Sequence, residues 1–396
     1  MIRSALHRPA LLLVLPLLLG GTSVASCSSP SRPVIDDEMR MGAGEQQFTG
    51  FARENMGTFD EPWAMAFEPG TGNLFITERE GAIRIRQPDG TISSVSGVPA
   101  VDYGGQGGLG DLVFAPDYLQ SGAVYLSWAE AGPADTRGAV VGRAILKCEE
   151  DRASGCRLDD LKVIWRQEPK VTGRAHYSHR IAFSPDGNYL FITSGERQKK
   201  TPAQDLSNTL GTIVRLLPDG TPAPGNPFAG RGGPAAQIWS YGHRNMLGIG
   251  FDPAGQLWTL EHGPKGGDEL NLVERGANYG WPIVSNGIDY DGGNIPDHST
   301  RPEFNAPDIS WDPVIAPGNF IFYTGTMFPA LDGQAIIAGL KTQNIVTVGF
   351  DSGTPVELSR EPMGARIREV AQAADGAIWA VEDGKGAKLW RLTPKR

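Results

Sequence analysis

The sequence predicts an all-β fold, a six-bladed β-propeller, over residues 51–396. Glycine and proline are abundant, with 52 and 30 residues in a chain of 396. The apolar residues show little of the periodicity that amphipathic helices require. Short apolar runs instead alternate with turns rich in glycine, aspartate and proline. These runs recur as a unit, which is typical of folds built from copies of one small motif.

The repeated unit is an apolar strand, a turn and a second apolar strand. Two candidate outer strands, at 83–86 and 213–216, follow units of this kind. Repeats of about 45 to 70 residues, each long enough for four strands, are typical of propeller blades. The copies lie at 64–77, 112–127, 181–193 and 249–260, with two looser copies at 327–338 and 370–381. We therefore expect six blades.

The N-terminal segment has the pattern of a targeting signal. A basic start and a leucine-rich run precede small residues and Cys27, which predicts a lipoprotein signal peptide over 1–26 with lipid attached to Cys27. The alternative is a plain signal peptide with an incidental cysteine. The apolar run is too short for a membrane-spanning helix. Residues 27–50 are rich in Ser, Pro, Gly and charge and are expected to form a flexible tether.

The other two cysteines, Cys148 and Cys156, flank a short polar loop. In an oxidising compartment they are expected to form a local disulfide. A metal site at these two cysteines is not expected, because no further His or Cys ligands lie nearby in the sequence. The net charge is −9 and no long basic run occurs, so nucleic acid is not an expected partner.

Many polar and charged residues flank a predicted hairpin in the stretch 239–282. Arg244 and Asn245 precede the apolar run 246–251, a turn leads to a second apolar run at 257–260, and a loop of glycines and carboxylates follows at 262–269. Short strands flanked by such loops commonly hold a site. An ordinary decorated hairpin is the alternative.

The motifs of this stretch are specific. The runs G-H-R-N, E-x-G-P-x-x-x-D-E-L-N-L and N-Y-G-W-P resemble those of the soluble quinoprotein sugar dehydrogenases, the glucose/sorbosone dehydrogenase family. The resemblance extends over most of the chain after the tether. It implies a propeller that uses pyrroloquinoline quinone (PQQ) and Ca²⁺ to oxidise a sugar, with electrons passed to a periplasmic acceptor.

The resemblance implies that His176 is the catalytic base, because it lies in the pattern H-x-S-x-R before an apolar strand. An imidazole suits this task because its ordinary pKa lies near neutral pH. Glu196 is expected to orient the ring. Ala175 stands where the glucose enzymes have an acid, which is a departure from the family pattern. A histidine in this position can also be a simple loop hydrogen-bonding group.

A planar tricarboxylate such as PQQ requires several cationic and hydrogen-bonding groups. The family motifs imply that His176 also contacts the cofactor and that Arg244 also stabilises charge in the reaction. As isolated residues the cations would more commonly be solvated. The expected cofactor set is completed by Gln106, Arg244, Asn245, Lys341, Arg366 and Arg368.

Calcium is the metal that the resemblance implies. The backbone carbonyls of Gly263 and Pro264 match a step that holds the ion at the cofactor, and oxygen ligands suit Ca²⁺. A second, structural ion would use Glu269, the carbonyl of Tyr279 and Asp289. The alternative for this second set is a solvated acidic loop. Trp311 is expected either to stack on a sugar ring or to lie in the core.

The expected function is oxidation of an aldose to a lactone, or of a related polyol or sorbosone-type substrate. The protein would act on the periplasmic side, either anchored by lipid to a membrane, with the outer membrane favoured, or released into the periplasm. A calcium-dependent propeller hydrolase of the lactonase type and a non-catalytic binding propeller are the alternatives. Fold alone does not separate the three.

Overall fold

The structure is a computed structural model that describes residues 48–149, 154–350 and 353–395. The predicted signal peptide at 1–26, the lipidation site Cys27 and the tether up to residue 47 lie outside the described residues. All described residues belong to one compact unit, 46–396.

The described chain is built almost entirely of β-strands, which confirms the predicted all-β class. The first thirteen are β1 (Phe51–Phe59), β2 (Pro62–Phe67), β3 (Leu74–Glu78), β4 (Ala82–Arg86), β5 (Ile92–Ser96), β6 (Leu109–Phe114), β7 (Ala123–Ala131), β8 (Arg137–Cys148), β9 (Cys156–Arg166), β10 (Ser178–Phe183), β11 (Leu190–Ser194), β12 (Thr212–Leu216) and β13 (Ile238–Tyr241). The others are β14 (Met246–Phe251), β15 (Leu257–Glu261), β16 (Lys265–Gly266), β17 (Asp268–Leu272), β18 (Gly287–Ile288), β19 (Ile309–Trp311), β20 (Pro317–Phe322), β21 (Ala335–Gly339), β22 (Asn344–Gly349), β23 (Val356–Pro362), β24 (Ile367–Gln372), β25 (Ile378–Glu382) and β26 (Ala387–Pro394).

Helix is confined to single turns in the described residues. One four-residue α-helix, α1 (Tyr118–Ser121), ends at Gly122, whose φ of 65° gives the left-handed C-terminal cap that glycine adopts without strain. The short 3₁₀ turns are Thr201–Gln204, Ala229–Arg231, Gly233–Gln237, His298–Thr300 and Pro329–Leu331. None of these helices is long and apolar enough to cross a membrane.

The strands form antiparallel sheets that follow the chain order. Four sheets have four strands each, in the orders β10-β11-β12-β13, β14-β15-β17-β19, β20-β21-β22-β23 and β24-β25-β26-β1, and β16 pairs with β18. An eight-stranded sheet has the order β2-β3-β4-β5-β9-β8-β7-β6. Its two halves are antiparallel, and the only strand pairing between them in the described chain is the parallel pairing of β5 with β9.

The first strands of these units surround a common centre. Strand β2 contacts β6, and the same relation continues through β10, β14, β20 and β24, with β24 contacting β2 again. The second strand of a unit is covered on both faces by its neighbours. All side chains of β3, β11, β15 and β21 are therefore buried, and these strands have continuous apolar runs rather than alternating ones. This packing explains why the repeat is visible in the sequence.

Two further expectations are settled by the fold. Cys148 and Cys156 form the predicted disulfide, at facing positions of β8 and β9. The fifth predicted repeat, at 327–338, is wrong in its first half. The first strand of this unit is β20, and residues 323–334 form the connection from β20 to β21. Met327 and Phe328 owe their apolar character to packing: Phe328 is buried against Phe51 in the adjoining sheet.

Candidate functional site

A cavity of about 270 Å³ lies where the first strands begin and the second strands end. These two points coincide in every unit because the two strands are paired antiparallel neighbours. Side chains from distant parts of the chain therefore share one rim. Four predicted cofactor residues line it: Gln106, Asn245, Arg366 and Arg368.

His176 and Glu196 form a buried pair beside this cavity. Imidazole Nδ1 and carboxylate Oε1 are 2.5 Å apart, and both residues are at most 5 % exposed. Burial lowers the pKa of His176 below 6.5, although the bond to Glu196 acts in the opposite direction. Burial alone would raise the pKa of Glu196, but His176 and the Lys200 amide hold it below its ordinary value. The pair is therefore a neutral imidazole with Nδ1–H donating to a carboxylate, which leaves Nε2 as a base.

The backbone around this pair is unusual. Of the twelve non-glycine residues with positive φ among those described, six lie at 176–179 and 197–200, with φ between 50° and 62°. Left-handed conformations of this kind cost about 1–3 kcal/mol each and persist only where the surroundings enforce them. Gln106 is one such constraint, because its Oε1 accepts a hydrogen bond from the His176 amide at 2.8 Å. Gln106 thus lines the cavity and also supports the histidine.

Arg244 is buried without a counter-ion among the described residues. Its backbone amide donates to Glu261 Oε2 at 2.7 Å and Nη1 donates to the His262 carbonyl at 3.1 Å. The guanidinium makes no ion pair, and the buried Nε has no acceptor. The neighbouring Asn245 accepts from Ser178 Oγ at 3.2 Å, so its amide nitrogen is free to donate. Both residues are poised to bind an anion.

Arg366 and Arg368 share one carboxylate. Nε of Arg366 lies 2.9 Å from Asp383 Oδ2, and Nη2 of Arg368 lies 2.8 Å from Asp383 Oδ1. As expected from strand alternation, both guanidinium groups are on the same side. Two cations with one anion leave an excess positive charge at the rim. Lys341 is exposed, while the preceding Leu340 lines the cavity.

The Gly263–Pro264 step lies against buried acceptors. Asp268 Oδ1 accepts from the Gly263 amide at 3.0 Å and Oδ2 from the Ala316 amide at 2.6 Å. A Cβ at Gly263 would lie 2.2 Å from the Gly267 carbonyl oxygen, so only glycine fits. Within the described part of the chain, no hydrogen bond is made to the carbonyl of Gly263 or Pro264. Two free carbonyls side by side suit a hard cation.

Glu269 is close to a second buried carboxylate, Glu261. The Asn271 amide nitrogen donates to both, at 3.2 Å to Glu261 and 3.3 Å to Glu269, and the buried Asn271 Oδ1 has no partner. Burial and the charge of Glu261 raise the pKa of Glu269 well above its ordinary value. The other two predicted ligands are engaged elsewhere. The Tyr279 carbonyl accepts from His298 Nε2 at 3.1 Å, and Asp289 pairs with Lys200.

Trp63 forms the floor of the cavity. Its ring stacks on His179, with 5.0 Å between centroids, and the Arg180 guanidinium lies 3.9 Å from the centre of the Trp63 ring. Arg180 binds Glu369 through two hydrogen bonds, of 3.1 and 2.5 Å, and lies 3.5 Å from Asp111. Beneath it is a second cavity of about 390 Å³. Two buried carboxylates therefore share a single guanidinium.

This unequal charge predicts a pH-dependent stability. Burial, with repulsion from Asp111, raises the pKa of Glu369 from 4.5 to about 8. The folded state keeps a proton that the unfolded state releases above 4.5, so stability falls as the pH rises from 4.5 to 8, by at most about 1.4 kcal/mol per pH unit. We expect Glu369→Gln to flatten this slope in urea unfolding across that range. Glu130→Gln, which removes a surface carboxylate paired with Arg166, should leave the slope of stability against pH unchanged. An unchanged slope in Glu369→Gln would contradict the raised pKa of Glu369.

The family model for glucose/sorbosone dehydrogenases matches residues 59–391. The chain belongs to this family. The resemblance drawn from the motifs is thereby confirmed, and with it the expectation of an oxidoreductase of the sugar dehydrogenase type.

Individual members of the family show how far the similarity extends. The aldose sugar dehydrogenase YliI of Escherichia coli (strain K12) is 36 % identical over 344 residues, which are 85 % of this chain and 91 % of the relative. The apo crystal structure of a soluble aldose sugar dehydrogenase from Escherichia coli has a TM-score of 0.81 at 35 % identity and covers 87 % of this chain and all of that one. The PQQ-bound aldose sugar dehydrogenase of Streptomyces coelicolor has a TM-score of 0.70 at 28 % identity, covering 87 % and 98 %.

Among the residues that the sequence analysis missed are Trp63, His262 and Asp383, all of which line the cavity. His262 and Asp383 each follow the second strand of a unit, as Glu196 does. Their shared position after the second strand of a repeat could have identified these residues from the sequence. Burial lowers the pKa of His262 to about 3, and its Nε2 donates to the Pro317 carbonyl at 2.7 Å. Of the two alternatives for Trp311, the structure has the core position: the residue is buried and its Nε1 donates to Glu357.

Proposed function

We propose that this protein is a PQQ- and calcium-dependent dehydrogenase that oxidises an aldose to its lactone, or a related polyol or sorbosone-type substrate. The observation that carries the proposal is the buried guanidinium of Arg244, which has no anionic partner among the described residues. A buried charge is costly unless it is paired. A tricarboxylate cofactor and the substrate oxygen that gains charge are suitable partners.

The fold proposed for this function is a six-bladed propeller. The eight-stranded sheet divides into two blades, β2 to β5 and β6 to β9, because the strand pairing between its halves consists of only two register pairs, Val95–Cys156 and Ser96–Arg157. With the four other four-stranded sheets this gives six blades around one centre. The cavity then lies at one mouth of the central channel, where propellers commonly bind ligands.

The residues present fit PQQ. The excess positive charge of Arg366 and Arg368 suits carboxylates, Arg244 offers an unsatisfied buried donor, and Asn245 offers an amide nitrogen. Gln106 and Lys341 would complete the set from the rim. A PQQ-bound structure of a relative supports this choice of cofactor. When bound, the quinone accepts the electron pair that leaves the substrate carbon.

The reaction requires a base and charge stabilisation, and both belong to this chain. His176 takes the hydroxyl proton at Nε2, because Nδ1 is committed to Glu196. The carboxylate of Glu196 stabilises the imidazolium that forms. Arg244 lies close enough to affect the charge of both residues and stabilises negative charge on the substrate oxygen. Burial of this group of residues excludes water and strengthens each interaction.

Calcium is proposed at two places. The carbonyls of Gly263 and Pro264 would hold one ion at the cofactor, as Lewis acid. The second ion would be held by Glu269 with Glu261 and the unpartnered Asn271 Oδ1, because a cation there would offset the repulsion between the two carboxylates. The Tyr279 carbonyl remains a ligand candidate because a carbonyl has two lone pairs. Asp289 is replaced in this proposal, because it pairs with Lys200.

We locate the activity on the periplasmic side, with the chain tethered through lipid at Cys27 and an external electron acceptor in the periplasm. The sequence pattern of the N-terminus supports this location. A net charge of −9 without a basic run is unsuited to nucleic acid.

A reconstitution tests the function. Protein made in a host without PQQ should reduce an electron-accepting dye with an aldose only after both PQQ and Ca²⁺ are added. Omitting either addition, or treating the holoenzyme with a chelator, should abolish turnover. PQQ binding without turnover of any aldose or polyol would make the substrate class wrong. Failure to bind PQQ would overturn the proposal.

A further inference from the structure

Arg197 is the largest fully buried side chain of the described chain, with 1 % exposure. It makes no ion pair there, and its guanidinium instead donates to three backbone carbonyls. Nε lies 2.8 Å from the Ala175 oxygen, Nη1 2.7 Å from the Arg137 oxygen and Nη2 2.5 Å from the Gly173 oxygen. Its charge also lies 3.7 Å from the centre of the Tyr177 ring. A buried arginine without a carboxylate is costly, which calls for a functional reason.

The groups that hold Arg197 belong to the segment that carries the catalytic base. Gly173, Ala175 and Tyr177 surround His176 in the chain, and the Arg197 amide also donates to the His176 carbonyl at 3.3 Å. His176 has a φ of 50° and Arg197 one of 60°. The planar fork of an arginine can fix several carbonyls at once. It thus supplies the constraint that a left-handed histidine needs.

We propose that Arg197 is the positioning residue of the site: it clamps residues 173–177 so that His176 meets Glu196, and it keeps a fixed positive charge near the imidazole. The charge persists at neutral pH, because burial lowers the pKa of Arg197 only to about 10. The charged or titratable groups that act on His176 are Glu196, Arg244 and Arg197, with His262 nearby. Arg197 and Arg244 favour the neutral base, and Glu196 opposes them. This inference rests on the proposed role of His176.

The experiment compares Arg197→Met, which removes the charge, with Arg197→Lys, which keeps the charge and loses the fork. Arg215→Met is the matched control, because Arg215 also stacks on aromatic rings, at 4.5 Å from Tyr189 and 4.3 Å from Trp239, outside the site. The first readout is NMR titration of His176 in PQQ-free protein. We expect the pKa of His176 to fall in Arg197→Lys, because the imidazole loses its fixed contact with Glu196, and to lie higher in Arg197→Met than in Arg197→Lys, because the positive charge is also gone. Arg215→Met should titrate like the wild type.

The second readout is steady-state kinetics of the reconstituted enzyme. Both Arg197 variants should lower kcat about 10- to 100-fold, as expected for a misplaced base, with little change in the KM for the sugar. A folded Arg197→Met with wild-type titration and kcat would overturn the inference. If that variant does not fold, Arg197→Lys with wild-type kcat would overturn the positioning role. The titration needs neither cofactor nor turnover, so it decides on Arg197 even if the proposed function fails.

Discussion

Replacing His176 with alanine is expected to reduce kcat about 10²- to 10⁴-fold, the usual contribution of a general base. PQQ affinity should change much less, because the cationic residues at the rim are untouched. In the wild type, activity should fall only below pH 6.5, since burial lowers the pKa of His176. Dye-reduction kinetics and a PQQ binding titration measure the two effects separately.

Glu196→Gln is a second, milder change to the same His176–Glu196 pair. Losing the carboxylate should lower the pKa of His176 further, because the bond to Glu196 favours the charged imidazole. The acidic limb of the profile should therefore move to lower pH, while kcat falls because the imidazolium loses its partner. Glu130→Gln, at a surface pair with Arg166 and Lys170, should match the wild type. Full activity in His176→Ala would remove the base assignment.

Replacing Arg368 with alanine is expected to weaken PQQ binding about 100-fold, equivalent to about 2.7 kcal/mol. This is the scale of hydrogen bonds to a charged group that is largely shielded from water. The Arg368 side chain is only 13 % exposed. Its removal also leaves Asp383 with one cation, so the rim loses its excess positive charge. Equilibrium titration of the apo protein with PQQ gives the dissociation constant directly.

Arg366→Ala is the internal comparison, because Arg366 shares Asp383 but its side chain is 48 % exposed. Solvent screening should limit its effect to less than about tenfold. Arg391→Ala, which breaks a pair with Asp375 in the same sheet, should leave PQQ affinity unchanged. Equal effects of all three substitutions would indicate a general electrostatic attraction rather than a site at Arg368.

Much of this site could be predicted because its residues belong to short motifs next to strands in the sequence. Arg244 and Asn245 stand directly before β14, and Arg366 and Arg368 alternate at the start of β24, so their chain positions alone bring them to the rim. The contact between His176 and Glu196 could be predicted in the same way, because His176 precedes the first strand of one hairpin and Glu196 follows the second. The second strands were visible because burial on both faces makes them continuously apolar.

The rest depends on contacts that no local pattern records. Asp383 is one of 45 acidic residues, and only the packing of the last blade shows that it binds both arginines. Trp63 lies far from Arg180 in sequence and meets it only because the first strands converge. The carboxylate pair of Glu261 and Glu269 is a property of facing positions on β15 and β17. The pairing of Asp289 with Lys200 is likewise a tertiary contact between residues far apart in the sequence.

The sheet that contains β24 takes its outer strand from the other end of the chain. Strand β1 pairs with β26 from Phe51–Pro394 to Phe59–Ala387. During synthesis β1 therefore has no partner in this sheet until β26 has been made. Every other strand of the described chain is synthesised before this sheet can close. The pairing of β1 with β26 is thus the contact that joins the two ends of the described fold, and it forms only after the strands of all the other sheets are available.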